Sequence, residues 1–230
     1  MNLYSYTVAS DDGAAPNPYG GVCTLAICKP AIRRTAQLGD WIIGLGSKNA
    51  PGLRDMGHCV IYAMQVSKVM SLADYDAHCR TSLRAKLPIW QAGEPFEHQV
   101  GDCLYWQDAV GNWIQRPGVH GRGDQAKDLR GENALLAEET FFYFGDRGVD
   151  LADAFHSICH PTQGHKVHAN NNIKEDVVRW LQGGLGAGYR PRILYGNPVH
   201  QHLVRPGLPD GGGCGSCRGD VEDEDPKYIC

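Results

Sequence analysis

Residues 41–45, Trp-Ile-Ile-Gly-Leu, form an unbroken apolar run of strand length entered through Gly39-Asp40. Such a run offers no polar face to water, so it reads as a buried strand, and the chain must assemble a core around it. With 230 residues there is enough chain to do so. No stretch of about 18 apolar residues occurs, which argues against a membrane span.

The elements around this strand point to an α+β domain. Residues 3–9 and 23–28 have strand composition and are separated by the loop DDGAAPNPYGG, whose Gly, Pro and Asn residues oppose regular structure. After Lys29-Pro30, the segment AIRRTAQ reads as a helical turn. Residues 59–70 are rich in β-branched and aromatic side chains and feed a helix for which Ser71 is a natural N-cap. A second Gly-Asp pair, Gly101-Asp102, opens a segment that reads as a hairpin turning at residues 109–112. Residues 116–130 read as a glycine-rich charged loop, residues 138–145 as an aromatic strand, and residues 150–159 as a short helix or turn. Residues 172–181 carry Ile173, Val177, Val178 and Trp180 near one helical face. The core is expected to close near residue 204, leaving 205–230 as a Gly-rich acidic tail.

Charge and cysteine content narrow the function. A formal net charge of −4 gives no global basic footprint, so a duplex binder held mainly by phosphate contacts is disfavoured, and any nucleic-acid contact has to be local. Nine cysteines without an export signal read as buried thiols in a reducing, cytoplasmic setting. The P-loop, the dinucleotide-binding glycine motif, the zincin motif and the nucleophile-elbow motif are all absent, and the cofactor is left open.

The order CTLAICKP, helical turn, GDWIIGLG, loop and CVIYAMQVSKVMSLADYDAH resembles the PUA-like superfamily, with its ASCH, EVE and YTH members. That resemblance implies a small mixed β-barrel flanked by helices. More narrowly, YSYTVASDDGAAPNPYGGVCTLAICKPAIR together with HGRG resembles the second of the nucleotide modification associated domain families. The setting it implies is a DNA base-modification system of phage or bacteria, with a nucleic acid or nucleotide bearing a modified base as partner. Oligomeric state is left open.

Candidate site residues lie mostly in loops. Asp11 and Asp12 end a strand, where carboxylates can converge on a ligand, bind a cation or act as general base, or simply cap a turn. Asn17 could pair with a base edge, and Lys29 and Arg33 could meet a phosphate. The ASCH resemblance raises Lys29, because a lysine near this strand end lines the pocket there. Trp106 and Trp113 flank the hairpin turn and are candidates for stacking on a base, whereas Trp41 reads as core. His120 and Arg122, in HGRGD, join a titratable ring to a fork donor. His156, Cys159, His160 and His165 are the densest set of possible zinc ligands, although their spacing matches no established pattern, and His165-Lys166 reads equally as a phosphate-contacting loop. The isolated Cys214-x-x-Cys217 carries little information.

Two functional readings follow. In the first, the chain recognises a modified base in DNA or RNA. In the second, it is an enzyme that modifies or hydrolyses a base or nucleotide with a pocket of Asp11 or Asp12, Lys29 and a histidine. An interaction subunit of a genetic element ranks third.

Overall fold

The structure is a computed structural model, and it describes residues 1–48, 55–160 and 164–207. Residues 208–230, most of the expected tail and its Cys214-x-x-Cys217, lie outside the described residues. No described helix is long and apolar enough to cross a membrane.

The chain opens with β1 (Leu3–Thr7), and β2 (Cys23–Leu25) follows the loop. It then enters α1 (Pro30–Thr35) and β3 (Trp41–Leu45). The expected strand over residues 59–70 is two strands, β4 (Cys59–Gln65) and β5 (Lys68–Ser71). The break has a simple cause: the Val66 amide donates to the Asp40 carbonyl, while the next amide, of Ser67, donates to the Leu136 carbonyl in a different sheet. α2 (Leu72–Thr81) is capped as expected, the Ser71 hydroxyl accepting from the Asp74 amide at 3.1 Å. After α3 (Phe96–Gln99), the hairpin consists of β6 (Tyr105–Gln107) and β7 (Trp113–Gln115).

The segment read as a glycine-rich loop contains a 3-10 turn, Arg122–Asp124, and α4 (Gln125–Leu129). β8 (Asn133–Ala137) follows, a strand absent from the sequence reading. Its NALLA composition favours helix, and pairing on both sides with β2 and β5 overrides that preference. β9 (Phe141–Tyr143), β10 (Val149–Asp150), β11 (His165–Lys166) and α5 (Lys174–Gln182) complete the elements needed here.

The main sheet runs β10-β4-β3-β1-β11, with β9 also on β4, and β1 and β3 pair in parallel. A second sheet runs β2-β8-β5, and β6-β7 stands apart. The α+β class is as expected, but the described strands form these three separate sheets and no closed barrel.

Alternation along the strands builds a layered core. Trp41 and Ile43 face α5, packing with Val177, Val178 and Leu181, while Ile42 faces the second sheet with Leu25 and Leu135. The other face of the second sheet turns Ala134 and Leu136 onto Leu72, Tyr75 and Cys79 of α2. The order of layers is therefore α5, main sheet, second sheet, α2. Burying the three α5 side chains contributes roughly 2 kcal/mol each.

One row across the main sheet shapes the interior. Tyr6 pairs with Gly44, Gly44 with Tyr62, and Tyr62 with Tyr143. Gly44 has no side chain, and a Cβ there would overlap the Tyr62 ring. The space it leaves lets the Tyr6 and Tyr62 hydroxyls meet at 2.8 Å.

Candidate functional site

Between β2 and α1 the backbone takes an unusual path: Cys28 and Lys29 both lie in the left-handed region, with φ of 57° and 40°. Neither is glycine, so the turn is strained and is held by its surroundings. It shortens the strand expected over residues 23–28 and delivers Cys28 to the head of α1.

Arg33, one turn further on, does most of the holding. Its side chain is sealed in the core, with Nε donating to the Cys28 carbonyl at 2.7 Å, one terminal nitrogen to the Asn133 carbonyl at 2.8 Å and the other to the Asp128 carbonyl. Burial pulls its guanidinium below the usual range, and Asp128 offsets part of that. The guanidinium is committed to three carbonyls, so the geometry leaves it no fork for a phosphate.

Asp128, from α4, comes back toward the same turn. One carboxyl oxygen accepts from the Cys28 amide at 2.8 Å. The other accepts from the Tyr105 hydroxyl at 2.8 Å and meets His120 Nδ1 at 2.5 Å. Burial would raise this carboxyl, but His120, Arg33 and Tyr105 outweigh it and hold it below the usual range. Asp128 is thus held toward its anionic form and orients the His120 ring through Nδ1, which turns Nε2 toward Cys28. Nε2 lies 3.3 Å from Cys28 Sγ.

His120 is buried yet lines a cleft of 340 Å³, together with Trp113, Gln115 and Arg122. Gln115 fixes the cleft wall by donating to the His120 and Gly121 carbonyls at 2.8 and 3.2 Å. Arg122 is exposed at the margin. Lys29 extends over the Tyr6 ring, its Nζ 4.7 Å from the centroid.

A second polar cluster surrounds Asp11. Its carboxyl accepts from the Tyr143 hydroxyl at 2.7 and 2.9 Å and from the Val199 amide at 3.2 Å. Burial pushes it up to about 7 against those two hydrogen bonds, with Asp12 adding to the rise. His200 Nδ1 accepts from the Asp11 amide at 3.0 Å, and the His200 amide donates back to the Asp11 carbonyl. Asp12 accepts from the Ala14 amide at 3.0 Å, a turn contact.

The third cluster is centred on a lysine absent from the sequence reading. Lys86 is fully buried, with Nζ 2.8 and 2.6 Å from the Asn17 carbonyl and Oδ1, and 2.7 Å from the Val22 carbonyl. Burial pulls its ammonium down to about 8, and Asp102 opposes that. Asn17 also accepts from the Tyr19 amide and donates to the Val100 carbonyl, so its amide faces the interior rather than a base.

The tryptophans separate. Trp106 pairs with Ile114 and Gln107 with Trp113, so Trp106 and Trp113 point to opposite faces of the hairpin and cannot close one aromatic cage. Trp113 lines the cleft, whereas Trp106 carries the Arg80 guanidinium 5.2 Å from its ring centroid.

Among the described residues no three His, Cys, Asp or Glu side chains converge as metal ligands. His156 packs on His58 with centroids 4.0 Å apart, and His165 tilts against the Tyr4 ring at 6.1 Å. Cys159 and His160 present their carbonyls inward, to Lys166 Nζ at 2.7 Å and to the Thr7 hydroxyl at 2.9 Å. Lys166 also reaches the Ser157 carbonyl at 2.9 Å, so it ties down the loop it was expected to arm for phosphate.

Residues 1–204 match the family model described as Nucleotide modification associated domain 2. The chain belongs to that family. No curated protein and no solved structure matches it.

Within this nucleotide modification associated domain, the fold brings His120 to Cys28 and Asp128, and brings Asp11 to Tyr143 and His200. Cys28, Asp128, Tyr105 and Lys86 are the residues that sequence reasoning missed. A clue to the first was present in Cys28-Lys29-Pro30, a strand end followed by a proline suited to the first turn of a helix.

Proposed function

We propose that this chain is an enzyme of a nucleotide-modification system, acting on a base or nucleotide with His120 as the group that takes and returns a proton. The observation that carries this reading is the buried His120 ring, hydrogen-bonded to ionised Asp128 and bordering a cleft. General acid–base catalysis needs such an imidazole, oriented through one nitrogen with the other turned to a reacting group, and here Nε2 faces Cys28 Sγ at 3.3 Å. A cleft of 340 Å³ is in the range of small-ligand sites, and Arg122 at its margin suits a phosphate while Trp113 suits a base face. Recognition of a modified base without turnover has less support, because Asn17 and Arg33 are committed to the interior and the two tryptophans face apart. The association with nucleotides comes from the family, and the chemistry from the His120 geometry.

The test is mass spectrometry of nucleotides and short oligonucleotides from hypermodified phage DNA after incubation with the protein. A mass change with the wild type that disappears with His120→Ala is the expected result. A ligand retained at unchanged mass by both proteins would make the chain a reader.

A further inference from the structure

We infer that Cys28 is a covalent nucleophile, and that the site performs acyl transfer through a thioester on its sulfur. This rests on the enzyme reading above and adds to it the bond that is made and the class of group that is moved.

Several independent features converge on that sulfur. His120 Nε2 lies 3.3 Å from Sγ, and the opposite ring nitrogen is 2.5 Å from Asp128. Thiol, imidazole and carboxylate are thus in line, in the order by which a base activates a nucleophile and a third group orients the base. The cysteine is carried on a strained strand-to-helix turn, with two consecutive left-handed non-glycine residues. Among the buried cysteines it keeps the largest exposure, 9%, against 0–3% for Cys23, Cys59, Cys79 and Cys103. Its carbonyl is gripped by Arg33 and its amide by Asp128, so the sulfur is fixed from both sides of the residue.

The arrangement also selects the reaction class. A histidine that only had to ionise the thiol could deliver its proton anywhere, but one held between Asp128 and Sγ keeps it for a departing atom beside the sulfur. That suits a carbonyl carbon bearing an amine or alkoxide leaving group.

In the first step the Sγ proton passes to Nε2, Sγ bonds to the carbonyl carbon, and the bond to the leaving nitrogen or oxygen breaks as that atom takes the proton from His120. In the second, His120 removes a proton from water, the hydroxide oxygen bonds to the carbonyl carbon, the carbon–sulfur bond breaks, and the proton returns to Sγ. The sum is acyl donor plus water giving acid plus amine or alcohol, with no change of oxidation state. The substrate class is a nucleotide or base bearing an amide- or ester-linked acyl group. Asp128 acts here as a positioning residue.

p-Nitrophenyl acetate and iodoacetamide are the probes, read by peptide-mapping mass spectrometry on the full chain. Acetylation should be found on the Cys28 peptide, and Cys28 should alkylate faster than Cys79 and Cys103. Both rates at Cys28 should fall about 100-fold in His120→Asn. In Asp128→Asn the pH profile of Cys28 alkylation should move upward, a change that a purely structural role would not produce. Cys28→Ser, checked for native circular dichroism, should lose the adduct. Cys28 reacting no faster than its buried counterparts, or equally fast in His120→Asn, would overturn the proposal. The two readings can fail separately. Nucleotide turnover lost in His120→Ala but kept in Cys28→Ala removes the nucleophile and keeps the enzyme. Selective acylation of Cys28 without turnover of any nucleotide keeps the nucleophile and removes the nucleotide substrate.

Discussion

The Tyr143 hydroxyl sits 2.7 and 2.9 Å from the two carboxyl oxygens of Asp11, in a pocket that excludes water from both residues. Burial lifts this carboxyl to about 7 from a usual value near 3.8, so in the interval between them the folded chain holds a proton that the unfolded chain releases. The contribution is complete below the unfolded value and is lost as pH rises through about 7. Asp11→Asn removes that titration. Thermal melts between pH 4.5 and 7.5 should therefore show the wild type losing stability relative to Asp11→Asn as pH rises. Parallel curves would mean that Asp11 ionises normally.

Lys86 supports the DDGAAPNPYGG loop from below, through three acceptors on Asn17 and Val22. Lys86→Met keeps the length of the side chain and leaves those acceptors buried without their donor, which should cost about 3 kcal/mol. Urea unfolding followed by circular dichroism measures it, and a loss under about 1 kcal/mol would show that water replaces the ammonium.

Gly44→Ala puts a methyl group where the Tyr62 ring crosses the sheet. Both Tyr62 and the opposing Val8 side chain are packed, so the row has little room to yield and the substitution should cost about 3 kcal/mol. Differential scanning calorimetry of the variant tests this, with Gly188→Ala as a control for changing a glycine where no atom crowds the added carbon and the backbone accepts it.

Trp113 and Trp106 should behave differently toward nucleotides. With Trp113 on the cleft and Trp106 on the other face of the hairpin, Trp113→Phe should weaken nucleotide binding about ten-fold and Trp106→Phe should leave it unchanged. Isothermal titration with nucleoside monophosphates separates the two, and equal effects would place the ligand elsewhere.

Much of the scaffold was legible in residue order. The buried strand Trp41–Leu45, the Ser71 cap, the hairpin and α5 all follow from local patterning, which acts over a few residues. β8 was not, because alanine and leucine favour helix until two neighbouring strands claim them. The site was legible only in fragments. His120 and Lys29 were visible as unusual loop residues, but Cys28 looked like core, since a thiol in an apolar strand is ordinary and its histidine lies 92 residues away. Asp128 was hidden in the same way, inside a charged segment that reads as solvated surface. Asn17 and Arg33 erred in the opposite direction: their polar ends suggested a ligand, and the fold uses them to satisfy its own backbone.

Arg33 also links two positions that no local pattern connects. Its guanidinium lies against Gly131, where a Cβ would overlap it. Across the family's descent, positions 33 and 131 should therefore be inherited as a pair. A side chain at position 131 would push the Arg33 guanidinium aside, and in doing so loosen its hold on the Cys28 and Asp128 carbonyls together. Relatives with a larger residue at 131 are where a displaced Cys28 turn would first be found.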